Sequence, residues 1–398
     1  MPESFDGRDD HLSLLTGAEV GDLLDAALEP AGGRLVRWSM RDVDNRPGDR
    51  TTASYTATVA WADGEREETF GASVSNTEPT GGLVVTDGDE YVQVWRFPFD
   101  PELPTLPAAC YPSTAAELLA GLGFDTAGLS LRVVAYRPRK RAVVEVTTVR
   151  GRYFLKVLRP RLVADVDRRH RLLTAANVPV PRSLGWSDDG LIVLETLRGT
   201  SMRTVLGRDV LPLLRPDDLV ELLDRLPAEV RELPHRRPWS DHVAHYAEIV
   251  AAAVPDRGGH VRSLASDVES IVRAYPAGDE PTHGDFYDGQ LFVADGALTG
   301  LLDIDTLGPG RRADDLGCML AHLSVLTTIE EFSAGARRAL EHWRPAFESR
   351  VEPRELCARA AGVVMSLATG PYRVQQAGWE AATMERIALV ERWLDAAG

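Results

Sequence analysis

The chain almost lacks lysine. Lys140 and Lys156 are the two in 398 residues, and every other basic side chain is arginine. Cysteine is nearly as scarce. Cys110, Cys318 and Cys357 are far apart, odd in number and without a CxxC pair, which reads as reduced core thiols and not as a disulfide framework. No apolar run is long enough for a bilayer-crossing helix, and no apolar segment follows the acidic start MPESFDGRDD. Neither a signal peptide nor a membrane span is therefore expected, and the chain reads as cytoplasmic. Positive charge is also in deficit. The formal net charge of −16 argues against nucleic acid and against an acidic membrane surface as partners. Low-complexity blocks and internal repeats are missing too.

What is present is enough apolar content, 44% of 398 residues, for two or three compact units with real cores. The most informative stretch, His283 to Gly317, reads HGDFYDGQLFVADGALTGLLDIDTLGPGRRADDLG. Leu291-Phe292-Val293 is a short apolar run, Asp295-Gly296 a strong turn signal, and Leu298 to Ile304 a second run, so a hairpin is expected. Folding about that turn sets Gln290 opposite Leu301. Period-two alternation then puts Asp303 on the face of Gln290, one diagonal step away. Asp285 lies in the loop entering the hairpin. An amide and a carboxylate are hard oxygen donors on few protein groups, a set that suits Mg²⁺ better than zinc. Asp285 is left to accept a hydroxyl proton and orient the attacking oxygen.

Upstream, Arg152 to Leu158 (RYFLKVL) reads as a strand. In a chain that otherwise uses arginine for positive charge, a lysine set between Leu155 and Val157 is informative. A compact ammonium reaches phosphate oxygens where a planar guanidinium fits poorly. Arg161 to Asn177 is helix-like and ends at Val178-Pro179-Val180-Pro181. Leu184 to Trp186 and Leu191 to Glu195 flank Asp189-Gly190 as another hairpin, followed by Thr196-Leu197-Arg198-Gly199.

These residues resemble the aminoglycoside phosphotransferase family, part of the protein-kinase-like superfamily that also holds choline kinases. His283-Gly284-Asp285, the spacing from Asp285 to Asp303, and Asp315-Leu316 match its pattern, while Gln290 stands where Asn is usual. The likeness runs from roughly Leu129 to the C-terminus. It implies an α+β, two-lobed protein-kinase-like fold with a small antiparallel-sheet lobe and a large helical lobe. It further implies ATP and Mg²⁺ as cofactors and transfer of the γ-phosphoryl group to the hydroxyl of a small-molecule acceptor. On this resemblance Asp285 is the catalytic base, and Gln290 and Asp303 hold the metal. Lys156 meets the nucleotide phosphates, with Asp167 as its acidic partner or Asp165 if the register slips. Glu195 to Leu197 hold the adenine edge through backbone groups. His283 and Asp315 support the loop, and Asp288 and Asp305 are the better candidates for acceptor contacts. Trp239, Asp241, His245, Tyr287, Tyr372, Arg373 and Trp379 are further candidates for the acceptor pocket.

Many kinases cover the phosphates with a glycine-rich turn. Val133 to Val144 contains no glycine and carries Arg137, Arg139, Lys140 and Arg141 instead. Either those side chains neutralise the triphosphate, or they form a solvated hairpin tip. The expected organisation is an N-terminal α+β cap at 1–108, a small lobe at 109–197, and a helical large lobe with the catalytic loop at 198–398. The cap rests on helical spacing in Gly17 to Ala31 and strand-like runs at Leu35 to Met40, Ala53 to Trp61, Glu67 to Val74 and Tyr91 to Phe97. Asp63-Gly64 and Asp87-Gly88 mark turns between them, and Pro101 to Pro112 reads as a linker. Some bacterial sugar kinases of the superfamily, maltokinases among them, carry a cap similar in kind. Two alternatives therefore stand beside an antibiotic acceptor: a sugar or amino-sugar kinase, and a nucleotide-binding pseudokinase. The oligomeric state is open.

Overall fold

The computed structural model describes residues 10–45, 50–87, 90–208 and 214–398. The chain divides into two compact units. One comprises Met1–Ala164, Ser183–Glu195 and Arg373–Gln375; the other comprises Asp165–Arg182, Thr196–Tyr372 and Gln376–Gly398.

The first unit opens with helices α1 (Asp10–Thr16) and α2 (Val20–Leu28). Strands β1 (Arg34–Asn45), β2 (Arg50–Trp61), β3 (Gly64–Ser75), β4 (Leu83–Asp87) and β5 (Glu90–Arg96) follow. They form one antiparallel sheet in the order β1-β2-β3-β5-β4. Val20, Leu24 and Leu28 recur every four residues, so α2 presents one apolar stripe. That stripe packs with Tyr55, Val59, Phe70 and Val74 of the sheet in a core of their own. Strand β4 is an addition to the expected runs. Gly64 takes φ 128 at the expected turn, and Gly88 of the other lies outside the described residues.

The proline-rich stretch is not a linker. It forms α3 (Leu106–Cys110) and leads into α4 (Pro112–Gly121), each with proline in its first turn, where the missing N–H costs nothing. Leu103, Leu106, Ala109 and Leu119 are buried against a second antiparallel sheet. Its strands are β6 (Ser130–Arg137), β7 (Arg141–Thr148), β8 (Gly151–Leu158), β9 (Ser183–Ser187) and β10 (Leu191–Glu195), in the order β6-β7-β8-β10-β9. Helix α5 (Pro160–Ala175) leaves this sheet after β8 and continues into the second unit.

The β6–β7 turn corrects the reading of two of its cations, while Arg137 is exposed. Arg139 is only 8% exposed and sits at φ 60. Its Nη1 donates to Gln93 Oε1 at 2.5 Å and Ser73 Oγ at 3.3 Å, and its Nη2 to Glu102 at 2.7 Å. Its backbone N–H and the Tyr136 hydroxyl both donate to Asp100 Oδ2 at 2.7 Å, and Trp95 Nε1 donates to that hydroxyl at 2.8 Å. Lys140 Nζ lies 2.6 Å from Asp44 of β1. Two of the four cations thus anchor the turn to the N-terminal sheet and its flanking loop.

The second unit holds two small sheets among helices. Strands β11 (Thr200–Ser201), β13 (Leu291–Ala294) and β14 (Ala297–Leu301) form one, and β12 (Glu280–Thr282) with β15 (Gly308–Gly310) the other. The helices are α6 (Met202–Arg208), α7 (Pro216–Asp224), α8 (Val243–Ala253), α9 (Gly258–Val272), α10 (Arg312–Leu326), α11 (Glu330–Glu348), α12 (Pro353–Ala368), the short α13 (Gly370–Arg373) and α14 (Trp379–Ala397). The pattern from Leu211 to Leu226 becomes α7, with residues 211–213 outside the described ones. Nearly every side chain of α10 is buried, as expected of a central helix packed on all sides. Among the described residues no helix is long and apolar enough to cross a membrane.

Candidate active site

The β13–β14 hairpin turns where the sequence places it. Asp295 (φ 52) and Gly296 (φ 75) are both left-handed, the geometry that Asp-Gly favours. The register, however, differs by one residue. Leu291, not Gln290, pairs with Leu301, and the Leu302 N–H donates to the Gln290 carbonyl at 2.8 Å. The ladder is interrupted between Phe292 and Val293. Thr299 is the residue squeezed out of it, and its hydroxyl donates to the Arg198 carbonyl at 2.8 Å. One extra residue in a strand reverses which face every later side chain takes. Strand alternation therefore does not aim Asp303. The backbone does so directly, because Asp303 lies beyond the strand at φ 57, ψ 47.

The preceding loop is held from several directions. Asp315, fully buried in the first turn of α10, accepts the N–H of His283 and the N–H of Gly284, both at 2.8 Å. The Leu302 carbonyl can only accept, so His283 Nε2 donates to it at 2.9 Å, leaving Nδ1 to accept the Asp285 N–H at 3.3 Å. The two bonds tie the loop to the residue before Asp303. The Thr306 hydroxyl adds a 2.7 Å bond to the His283 carbonyl. Gly284 is required here: its φ is 81, and a Cβ would come within 2.6 Å of the Thr306 carbonyl oxygen.

Asp285 Oδ1 accepts from Trp239 Nε1 at 3.2 Å. Burial pushes its carboxyl above the ordinary carboxylate range. The nearby charge of Asp303 pushes it further, while His283, Arg236 and the Trp239 bond pull it back. Two carboxylates this close are relieved by a hard dication. The Asp303 carboxylate and the Gln290 amide oxygen are donors that Mg²⁺ accepts, so the residues present fit that ion. Asp305, two residues beyond Asp303, is partly exposed in the following turn.

Asp288 corrects the sequence reading. It is 0% exposed, and Arg203 clamps both its oxygens, Nε to Oδ2 at 2.7 Å and Nη2 to Oδ1 at 3.2 Å. Its carboxylate supports the loop instead of facing an acceptor. Asp241 is likewise engaged, by Arg359 at 2.8 Å. Tyr287 lies beneath Arg203 and stacks flat on His322, with ring centroids 4.0 Å apart. Neither Arg203 nor His322 was singled out by the sequence. Trp239 was, though as an acceptor contact and not as a donor to Asp285. The one available signal for His322 was its i,i+4 step from Cys318 on α10, which puts the two on one helix face.

The nucleotide candidates can be placed unit by unit. In the first, Lys156 is 6% exposed on β8, paired with Val143 of β7 and Ile192 of β10, and Glu195 ends β10. In the second, Asp167 is 6% exposed with Arg171 Nε 2.8 Å away, whereas Asp165 is more open and meets Arg168 and Arg169. Leu197 packs so closely on Gly300 that a Cβ there would lie 2.5 Å from it.

A family model described as the phosphotransferase enzyme family, APH, matches residues 139–349, just over half of the chain. The first 138 residues lie outside it. Among solved structures, the apo form of a thermostable mutant of aminoglycoside phosphotransferase APH(4)-Ia aligns with a TM-score of 0.50 at 13% identity, over 69% of this chain and 97% of that one. An aminoglycoside-3'-phosphotransferase of type VIII aligns at 0.43 and 20% identity, over 64% and 98%. The Plasmodium vivax ethanolamine kinase aligns at 0.41 and 11% identity, over 66% and 82%. At 13% identity the first of these likenesses speaks for the two-lobed kinase-like fold alone. No curated protein matches the sequence significantly.

Proposed function

The chain belongs to the phosphotransferase enzyme family, and on that footing we propose that it moves the γ-phosphoryl group of ATP onto the hydroxyl of a small-molecule acceptor. The observation that carries this reading is Asp285. It is a half-buried carboxylate, raised above its usual range, on a loop that Asp315 and His283 hold rigid beside Asp303. Such a group is poised to take a proton as charge develops on an attacking oxygen.

In the proposed step the acceptor O–H donates to Asp285. As the oxygen bonds to the γ-phosphorus, the proton passes to the carboxylate, and the bond to the β–γ bridging oxygen breaks with its electron pair leaving on ADP. Asp303 and Gln290 would hold Mg²⁺, which when bound neutralises charge on the phosphate oxygens. Lys156, with Asp167 as its acid, is assigned to the phosphates, and Glu195 to Leu197 to the adenine edge; these roles rest on the family resemblance. Asp305 remains the acceptor-contact candidate. Positioning and charge stabilisation supply most of the rate in such transfers.

The test is ADP release and acceptor phosphorylation over a panel of aminoglycosides, sugars, amino sugars and amino alcohols. Asp285→Ala should abolish transfer while Mg-ATP binding stays measurable by calorimetry. Asp303→Ala should lose the metal-dependent part of that binding. Unaltered turnover in Asp285→Ala would discard the assignment, and nucleotide binding without transfer to any acceptor would turn the reading to a pseudokinase.

A further inference from the structure

A second set of donors surrounds the same carboxylate, and its chemistry is not that of a magnesium site. Cys318 and His322 stand one helical turn apart on α10, so their side chains leave one face together. The Cys318 Sγ, a ring nitrogen of His322 and a carboxylate oxygen of Asp285 all lie within 4.8 Å of one another. A zinc ion with Zn–S near 2.3 Å and Zn–N and Zn–O near 2.0–2.2 Å needs its ligand atoms roughly 3.3–3.8 Å apart. The approach still required is about 1.5 Å at most, a distance that side-chain rotation can supply. The flat stack of Tyr287 on His322 at 4.0 Å already sets the plane of the ring.

The surroundings agree with a bound cation. Two guanidiniums, Arg203 and Arg386, lie near His322. Arg203 is itself compensated by Asp288 at 2.7 Å. Around the thiol stand the carboxylates of Asp285, Asp315, Asp288 and Asp314. The same negative field favours a dication that replaces the thiol proton.

We propose that Asp285, Cys318 and His322 form a three-ligand site for a soft divalent cation of the zinc class, and that occupancy there silences the transferase by capturing its base. Thiolate and imidazole select such an ion against Mg²⁺, whereas Gln290 and Asp303 offer oxygen alone. Binding exchanges one proton: the Cys318 S–H gives its hydrogen to solvent and the sulfur bonds the metal, with no change of oxidation state. Asp285, its oxygen engaged by the metal, can no longer accept a hydroxyl proton. The inhibitory half of this proposal rests on the function proposed above; the binding half does not.

The experiment titrates the full chain with Co²⁺, whose thiolate charge-transfer band reports ligation by sulfur, and then displaces it with Zn²⁺. The expected result is one such band in the wild type and in a Cys110→Ser/Cys357→Ser double variant, and none in Cys318→Ser. A wild type without the band, or a band that survives in Cys318→Ser, overturns the site. In parallel, phosphoryl transfer is measured at constant Mg-ATP with increasing Zn²⁺, each variant against its own zinc-free rate. His322→Gln should raise the half-inhibiting zinc concentration at least about tenfold. Transfer that ignores zinc while the cobalt band is present would overturn the silencing. If no acceptor is ever phosphorylated, the cobalt titration still decides the site by itself.

Discussion

Two buried polar clusters, one in each unit, use similar residues to opposite ends. Around Arg139, charges meet their complements. The guanidinium reaches Glu102, Gln93 and Ser73, and Asp100 collects the Arg139 N–H, the Tyr136 hydroxyl and the Glu102 N–H. The Nε of Arg139 finds no acceptor among the described residues, and neither does that of Arg50, whose Nη1 lies 3.8 Å from Glu102. Around Asp285, like charges are brought together. Asp303 raises Asp285, and Asp315 is pushed up by burial even though two backbone N–H groups pull it down. A satisfied network specifies one arrangement of the chain. A cluster of carboxylates held close stores unfavourable energy, which a metal, a proton or a substrate can release, and such strain gathers at working sites.

The sharpest way to break this contrast is to substitute the centre of each cluster. Asp285→Asn should cut kcat by about 10²–10⁴-fold without lowering the urea midpoint. The sign follows from linkage. Its folded-state value lies above the unfolded one, so the stability it contributes is present below the ordinary carboxylate range and lost as pH rises through the raised value. At neutral pH the ionised group is a cost, and Asn removes it. Arg139→Ala should do the reverse to stability, costing about 2–3 kcal/mol in denaturant unfolding because Gln93, Ser73 and the half-buried Glu102 lose their donor, while Asp100 keeps the backbone N–H. A loss below about 1 kcal/mol would mean that the turn is not anchored by this network.

Asp315→Ala belongs between the two, since it removes an anchor from the working loop. Leaving the His283 and Gly284 N–H groups without acceptors should cost about 2 kcal/mol in unfolding, together with a fall in kcat. The smallest effect is expected from Trp239→Phe, which keeps the ring and deletes the N–H that favours ionised Asp285. Activity needs the ionised base, so the acid limb of the kcat/KM profile should move to higher pH. A shift to lower pH would show that another group sets that limb.

Much of the second unit's loop was legible in the residues. Asp295-Gly296 announced the hairpin, and the family resemblance pointed to Asp315 as a support of the loop. The register was not legible, because a two-residue turn fixes the pairing only if no residue leaves the ladder, and Thr299 does. Asp288 looked like an acceptor contact because it neighbours the base in sequence. Its partner, Arg203, is 85 positions away, and nothing local could pair them. The first unit misled in the same manner. A cationic turn without glycine looked like a phosphate clamp or a wet tip, until the N-terminal sheet supplied acceptors from Ser73, Gln93 and Asp44. The proline-rich stretch read as a linker because proline excludes helix interiors but not first turns, and which applies depends on the packing of Leu103 and Leu106.

By itself the sequence determined many of the local elements, since turn chemistry, apolar period and short-range spacing act between residues a few positions apart. The tertiary structure alone decided which charges are answered and which are left opposed: that Arg139 is neutralised, that Asp288 is clamped, that Cys318 and His322 come to stand beside Asp285. Electrostatic energy depends on distance and burial in space, and a linear chain specifies neither until it has folded.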